Sequence, residues 1–188
     1  MKNIAIFASG SGTNAQNIVL FFKNNPNIRV RRIFSNKKNA YVLKRAENLG
    51  IPFRTFSKNT FYNTQDILLD LNAENIELIV LSGFLWLIPE YLIRAFPDRI
   101  INIHPALLPA YGGKGMYGDK VHEAVLKNNE KFSGITIHYV NEKYDDGQII
   151  FQAKCALDKN DTVQSLANKV HELEYKFFPE VIKNILSS

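Results

Sequence analysis

Short apolar runs alternate with amphipathic stretches along the chain, and the alternation predicts strand, helix, strand, helix. Residues 3–8, 30–35, 52–56, 78–82 and 100–104 read as strands. The run Leu78-Ile79-Val80-Leu81 is apolar throughout, as expected of a parallel strand covered on both faces. Helices are expected over 15–22, 40–49, 60–71, 91–96, 119–128 and 162–186, the last broken at Pro179. Thr13 and Gln16 have capping-box spacing, which starts the first helix near Thr13. Strands over 132–140 and 148–156 are joined by a short loop, 141–147, and are therefore antiparallel. The pattern predicts a doubly wound α/β fold. Its sheet is mostly parallel, Rossmann-like in the N-terminal half, with antiparallel strands added near the C-terminus. A length of 188 residues suits a single domain over 1–188.

The strand at 100–104 ends in a polar pair. Side chains alternate along a strand, so Ile101 and Ile103 face one way and Asn102 and His104 the other. Pro105 removes a backbone donor and holds His104 extended. Ligands of open α/β sheets bind beyond the carboxyl ends of the strands, which is where this pair stands. An amide beside an imidazole can stabilise an oxyanion and move a proton. A capped strand end with a hydrogen-bonded histidine accounts for the same residues equally well.

The first strand runs into Ser9-Gly10-Ser11-Gly12-Thr13-Asn14 and then a helix. Strand, glycine loop and helix N-terminus make an anion site. Gly10-x-Gly12-x-x-Ala15 also fits the dinucleotide fingerprint. That fingerprint needs an acid near the end of the second strand, where this chain has Ser35-Asn36-Lys37-Lys38. NAD is disfavoured, and an NADP-dependent reductase or a plain nucleotide-binding module stays open. Charge supports a phosphorylated ligand: nine Lys and Arg precede Glu47, the first acidic residue. No RNA-binding aromatic motif accompanies them, so a small molecule is expected rather than nucleic acid.

Three further features bear on function. Gly83-Phe84-Leu85-Trp86-Leu87-Ile88-Pro89 is unusually apolar for a connection, and suits a core turn or the wall of a pocket for a flat ligand. Residues 111–118 form a glycine-rich loop long enough to move. His122, His138 and His171 lack metal-ligand spacing, so no metal is expected. Hydrophobic residues are 46% and charged residues 22%, ordinary for a water-soluble protein. Cys155 is the only cysteine and no apolar run reaches membrane-spanning length, so a cytoplasmic location without membrane contact is expected.

Ser9-Gly-Ser-Gly-Thr-Asn14, Ser82-Gly-Phe84, Asn102-Ile-His-Pro-Ala-Leu-Leu-Pro109 and Asp145-Asp-Gly147 together resemble the folate-dependent formyltransferases, and among them the phosphoribosylglycinamide formyltransferases. The resemblance runs from the first strand to the last helix. It implies transfer of a formyl group from 10-formyltetrahydrofolate, as co-substrate, to the amine of glycinamide ribonucleotide in purine synthesis. It implies catalytic roles for Asn102, His104 and Asp145. Gly12, Thr13 and Asn14 fall on the phosphate-binding positions. Glu174 falls on the acid that contacts the ribonucleotide, with His171 beside it where some members have lysine or glutamine. The folate loops correspond to Leu85, Trp86, Leu87 and Ile88, and to Asn141, Glu142, Lys143, Tyr144 and Asp145. Other folate-dependent formyltransferases and the formyltetrahydrofolate hydrolases share the catalytic triplet. The partners implied are small molecules, and the chain is expected as a monomer or homodimer.

Overall fold

The computed structural model describes residues 1–187. Five strands are mutually parallel: β1 (Lys2–Phe7), β2 (Ile28–Ser35), β3 (Phe53–Thr55), β4 (Ile76–Leu81) and β5 (Ile100–His104). Two more, β6 (Phe132–Tyr139) and β7 (Ile149–Ala156), join antiparallel beyond β5. The order is β3-β2-β1-β4-β5-β6-β7. Strand order therefore reverses between β1 and β4, which opens a crevice at their carboxyl ends. The predicted sheet, parallel with an antiparallel addition, is the one observed.

Seven helices occur among the described residues: α1 (Thr13–Phe22), α2 (Tyr41–Asn48), α3 (Lys58–Asn63), α4 (Asp66–Ala73), α5 (Glu90–Ala95), α6 (Asp119–Lys127) and α7 (Val163–Ser187). The period of two along β1 sorts the core. Ile4 and Ile6 join Ile101 and Ile103 against Ile18, Val170 and Phe178 on one face of the sheet. Ala5 and Phe7 join Ile79 and Ile100 against Phe61, Ile67 and Leu92 on the other. Among the described residues no helix is long and apolar enough to cross a membrane.

Three local expectations are corrected. The helix expected over 60–71 is two helices, because Thr64 is extended between them (φ −127°, ψ 171°). Its hydroxyl donates to the Thr60 carbonyl and accepts from the Asp66 N–H, ending α3 and starting α4. Helix α7 runs through Pro179 without a break. Proline at that position frees the Tyr175 carbonyl, and the Asn17 side-chain amide donates to it at 2.9 Å. Phe178, Pro179, Val181 and Ile182 are all buried, so packing holds the turn. The Thr13–Gln16 capping box does not form: α1 starts at Thr13, but its cap is Gly12 with no side-chain bond. The Gln16 side chain is bonded by Arg45 instead.

Gly12 is required twice over. Its φ is +73°, and a Cβ there would overlap the Val42 side chain where α2 crosses the loop. Left-handed backbone costs an L-residue about 1–2 kcal/mol, and overpacking adds about 1–3. Gly12→Ala is expected to lower the unfolding free energy by about 2–5 kcal/mol in a denaturant titration. An unchanged midpoint would show that the α1–α2 junction yields freely.

Candidate active site

Two cavities meet at the carboxyl end of β5. The larger, about 570 Å³, is lined by the glycine loop (Gly10, Gly12, Thr13, Asn14) with His171 and Glu174 beside it, and by Asn102 and His104. The smaller, about 50 Å³, is walled by Leu81, Phe84, Trp86, Leu87, Ile88 and Val140. Phe84, Asn102, Tyr144 and Asp145 line both. Polar groups converge at that junction, and the far ends differ in chemistry.

Asp145 is the hub of the junction. It is held with φ +53° in the β6–β7 loop, a conformation stored at the expense of backbone strain. Its Oδ2 accepts from the Gly113 N–H at 3.0 Å and lies 3.5 Å from His104 Nδ1. Its Oδ1 accepts from the Asn102 amide at 3.4 Å and lies 3.7 Å from His138 Nε2. Gly112 makes this approach possible, since a Cβ there would sit 2.6 Å from Leu108 Cδ2 and 3.2 Å from the Asp145 Cβ. Burial raises the Asp145 pKa, but His138, His104 and the Gly113 N–H together outweigh it and hold the carboxyl below its ordinary value.

His104 is 3% exposed. Its Nε2 lies 2.8 Å from the Tyr111 carbonyl, which can only accept, so Nε2 carries the hydrogen and Nδ1 the lone pair in the neutral ring. Asp145 favours the imidazolium by charge attraction. Burial is the larger effect: it pushes the pKa below the ordinary value, and Asp145 and the Tyr111 carbonyl offset it only in part. At neutral pH the resting imidazole is uncharged and ready to accept a proton.

Asn102 stands across from His138 in the β5–β6 ladder. Its amide donates to His138 Nε2 at 3.1 Å. His138 Nδ1 in turn donates to the Tyr139 carbonyl at 2.8 Å, which leaves Nε2 as the acceptor. His138, 2% exposed, is thereby part of the cluster.

At the glycine-loop end, Ser9 ties the two central strands together. Its N–H donates to the Gly83 carbonyl, and its hydroxyl accepts from the Leu85 N–H and donates to Asn36. The first helical hydrogen bond of α1 runs from the Gln16 N–H to the Gly12 carbonyl, which leaves the N–H groups of Thr13 and Asn14, both lining the cavity, without an intrahelical partner. Glu174, 5% exposed, accepts from the Asn14 amide and from His171 Nδ1, both at 2.8 Å. The hydrogen bond to Glu174 raises the His171 pKa above its ordinary value.

The expected residues are thus brought together with two exceptions. Gly12, Thr13, Asn14, Leu85, Asn102, His104, Tyr144, Asp145, His171 and Glu174 line the larger cavity. Trp86, Leu87, Ile88 and Lys143 line the smaller one. Asn141 and Glu142 line neither; Asn141 instead accepts from the Lys143 N–H and so shapes the loop. The aromatic rings of Phe56, Phe61 and Tyr62 pack against Trp86, and the Tyr62 hydroxyl donates to the Leu87 carbonyl. Ser9, Lys37, Lys114 and His122 also line the larger cavity, and no sequence motif marks the last two.

Comparison with known proteins agrees with this geometry. The family model described as formyl transferase matches residues 2–182. A protein of Bacillus subtilis named phosphoribosylglycinamide formyltransferase is 38% identical over 191 residues, spanning 99% of this chain and 95% of its own. The chloroplastic phosphoribosylglycinamide formyltransferase of Arabidopsis thaliana is 41% identical over 96% of this chain, which spans 64% of that longer relative. The crystal structure of glycinamide ribonucleotide transformylase 1 from Symbiobacterium toebii superposes with a TM-score of 0.89 at 31% identity, covering 100% of this chain and 88% of that one. A doubly wound sheet with Asn102, His104 and Asp145 gathered at its crevice, matched along nearly its whole length, places this chain in the formyl transferase family.

Proposed function

We propose that the chain transfers a formyl group from 10-formyltetrahydrofolate to the amine of glycinamide ribonucleotide, a step of purine synthesis. The observation that carries this reading is the junction of two unlike cavities at Asn102 and Asp145. The glycine-loop end suits a phosphate, through loop and first-turn N–H groups. The Phe84–Ile88 wall suits a flat ring. Its present 50 Å³ is too small for a bicyclic ring, so the donor enters with movement of the 83–89 or 141–147 loop. The two substrates then meet at the polar cluster, and their juxtaposition lowers the entropic part of the barrier. The reading is of one domain acting on small molecules in the cytoplasm, as a monomer or homodimer, without metal, nucleic acid or membrane.

The amine attacks the formyl carbon and an oxyanion develops. The Asn102 hydrogen aimed at Asp145 across 3.4 Å is the one free to turn to that oxygen, because the long bond is cheaply surrendered. The attacking nitrogen becomes cationic and loses a proton. His104 Nδ1 accepts it, and Asp145, 3.5 Å away, then faces an imidazolium. The same proton returns to the departing folate nitrogen, so no net proton is retained by the protein.

Asp145→Asn tests the electrostatic part. Asp145 raises the His104 pKa against the effect of burial, so its removal lowers that pKa further. Protonated His104 cannot accept, so activity falls on the acid side; the variant's acid limb is expected at lower pH than the wild type's, with reduced turnover. NMR titration of His104 reads this directly. A higher imidazole pKa in Asp145→Asn would remove the role assigned to the carboxylate.

Calorimetry decides between this reading and the reductase. Glycinamide ribonucleotide is expected to bind and NADP is not, because no acid or dedicated cation clamp marks the end of β2 beyond the exposed Lys37 and Lys38. Micromolar NADP binding abolished by substituting Lys37 and Lys38 would overturn the formyl-transfer reading of this loop.

A further inference from the structure

His122 is a buried polar side chain without a protein partner that lines the larger of the two cavities. It sits in the first turn of α6, is 3% exposed, and makes no hydrogen bond among the described residues. Only its Nδ1 is sealed from solvent, so Nε2 is the nitrogen that opens on the cavity. A hydrogen on Nε2 leaves a bare lone pair at Nδ1, which costs less there than an unpaired N–H. The Nε2 hydrogen has no protein acceptor among the described residues, and His122 lines the cavity, where a ligand can supply one.

The surroundings narrow that ligand. His171, Asp119, Glu174 and His104 are the ionisable groups that act on His122 electrostatically, which puts it between the catalytic cluster and the Glu174 end. Glu174 Oε2 is already taken by Asn14 and His171. The Asn14 side-chain amide oxygen, Oδ1, is buried and unpartnered, an acceptor suited to a ribose hydroxyl rather than to an anion. Two lysines line the cavity, Lys37 and Lys114, and both are exposed. His122 is therefore a buried side-chain donor on this side of the cavity that no protein acceptor has claimed.

We infer that His122 donates through Nε2 to the phosphate of the acceptor substrate, completing from α6 a phosphate site whose other wall is the Gly12–Asn14 loop. The inference rests on the formyl-transfer reading above and adds a residue to it. Backbone N–H groups alone leave one side of a phosphate facing the cavity, and a donor held rigid by burial closes that side at little entropic cost. Burial and His171 hold the His122 pKa below its ordinary value, which favours the neutral ring as the donor.

The test compares wild type, His122→Phe and His122→Gln. Three constants are read: the KM for glycinamide ribonucleotide, the KM for the formyl donor, and the Ki of inorganic phosphate competing with the ribonucleotide. In His122→Phe the first and third are expected to rise together by about 10- to 100-fold, the worth of a hydrogen bond to a charged group. The donor KM is expected to stay within about threefold, because its cavity lies beyond Asn102. His122→Gln keeps a side-chain donor and is expected to retain most of the affinity. Unchanged constants in His122→Phe overturn the inference. So does a donor KM that rises in step, which marks a general structural loss. A ribonucleotide KM that rises while phosphate Ki does not, or wild-type activity indifferent to phosphate, removes the phosphate contact. Equal losses in Phe and Gln remove the donor role. A wild type that formylates no acceptor at all brings down the parent reading, and this residue's role with it.

Discussion

His104→Ala is expected to lower kcat by about 10²–10⁴-fold, the usual worth of a general acid or base. The ring is the one group at the junction with an unshared lone pair beside a carboxylate: Nε2–H is committed to the Tyr111 carbonyl, and Nδ1 faces Asp145 at 3.5 Å. Burial keeps it neutral at rest, and Asp145 rewards it on protonation. Alanine removes the acceptor and leaves water as the only substitute. The substrates touch the protein along two cavities well beyond this one side chain, so both KM values should change far less than kcat. His104→Gln, which fills much of the space without a titratable nitrogen, should lose about as much. A stably folded His104→Ala protein with full turnover would show that the proton leaves by another route.

Asn102→Ala is expected to cost about 10²–10³-fold in kcat through the oxyanion. One amide hydrogen is held by His138 Nε2 at 3.1 Å, while the other reaches Asp145 at 3.4 Å. The loss should be nearly independent of pH, because the amide does not titrate, and this separates it from the loss at His104. His138→Ala, which removes the group that orients the amide but leaves the amide in place, should fall between wild type and Asn102→Ala. An Asn102→Ala enzyme limited only in KM would mean that the amide binds substrate without favouring the transition state.

The order of elements was legible because parallel strands bury both faces and advertise themselves as apolar runs. Asn102 and His104 were legible as a pair from the period of two and from Pro105. Asp145 was placed by resemblance alone. In the run Lys143-Tyr-Asp-Asp-Gly two neighbouring aspartates look alike, and only the positive φ at Asp145 and the Gly113 N–H distinguish the one that faces the site; Asp146 turns to Lys143. His138 became part of the cluster through the Asn102–His138 register, which a sequence does not state. The charge on His104 was not legible in the sequence, because it depends on burial as well as on the neighbouring carboxylate. Helix ends failed where a distant side chain decided them. Asn17 rescues the carbonyl freed at Pro179, and Arg45 draws off Gln16 from its cap.

The most direct measurement follows a ¹³C-formyl label by NMR from 10-formyltetrahydrofolate, with and without glycinamide ribonucleotide. The expected result is one labelled formamide on the acceptor for each formyl group lost, no loss of label without acceptor, and near silence from His104→Ala in both cases. Labelled formate appearing at the same rate with or without the acceptor would contradict direct transfer and make the cluster a hydrolase instead.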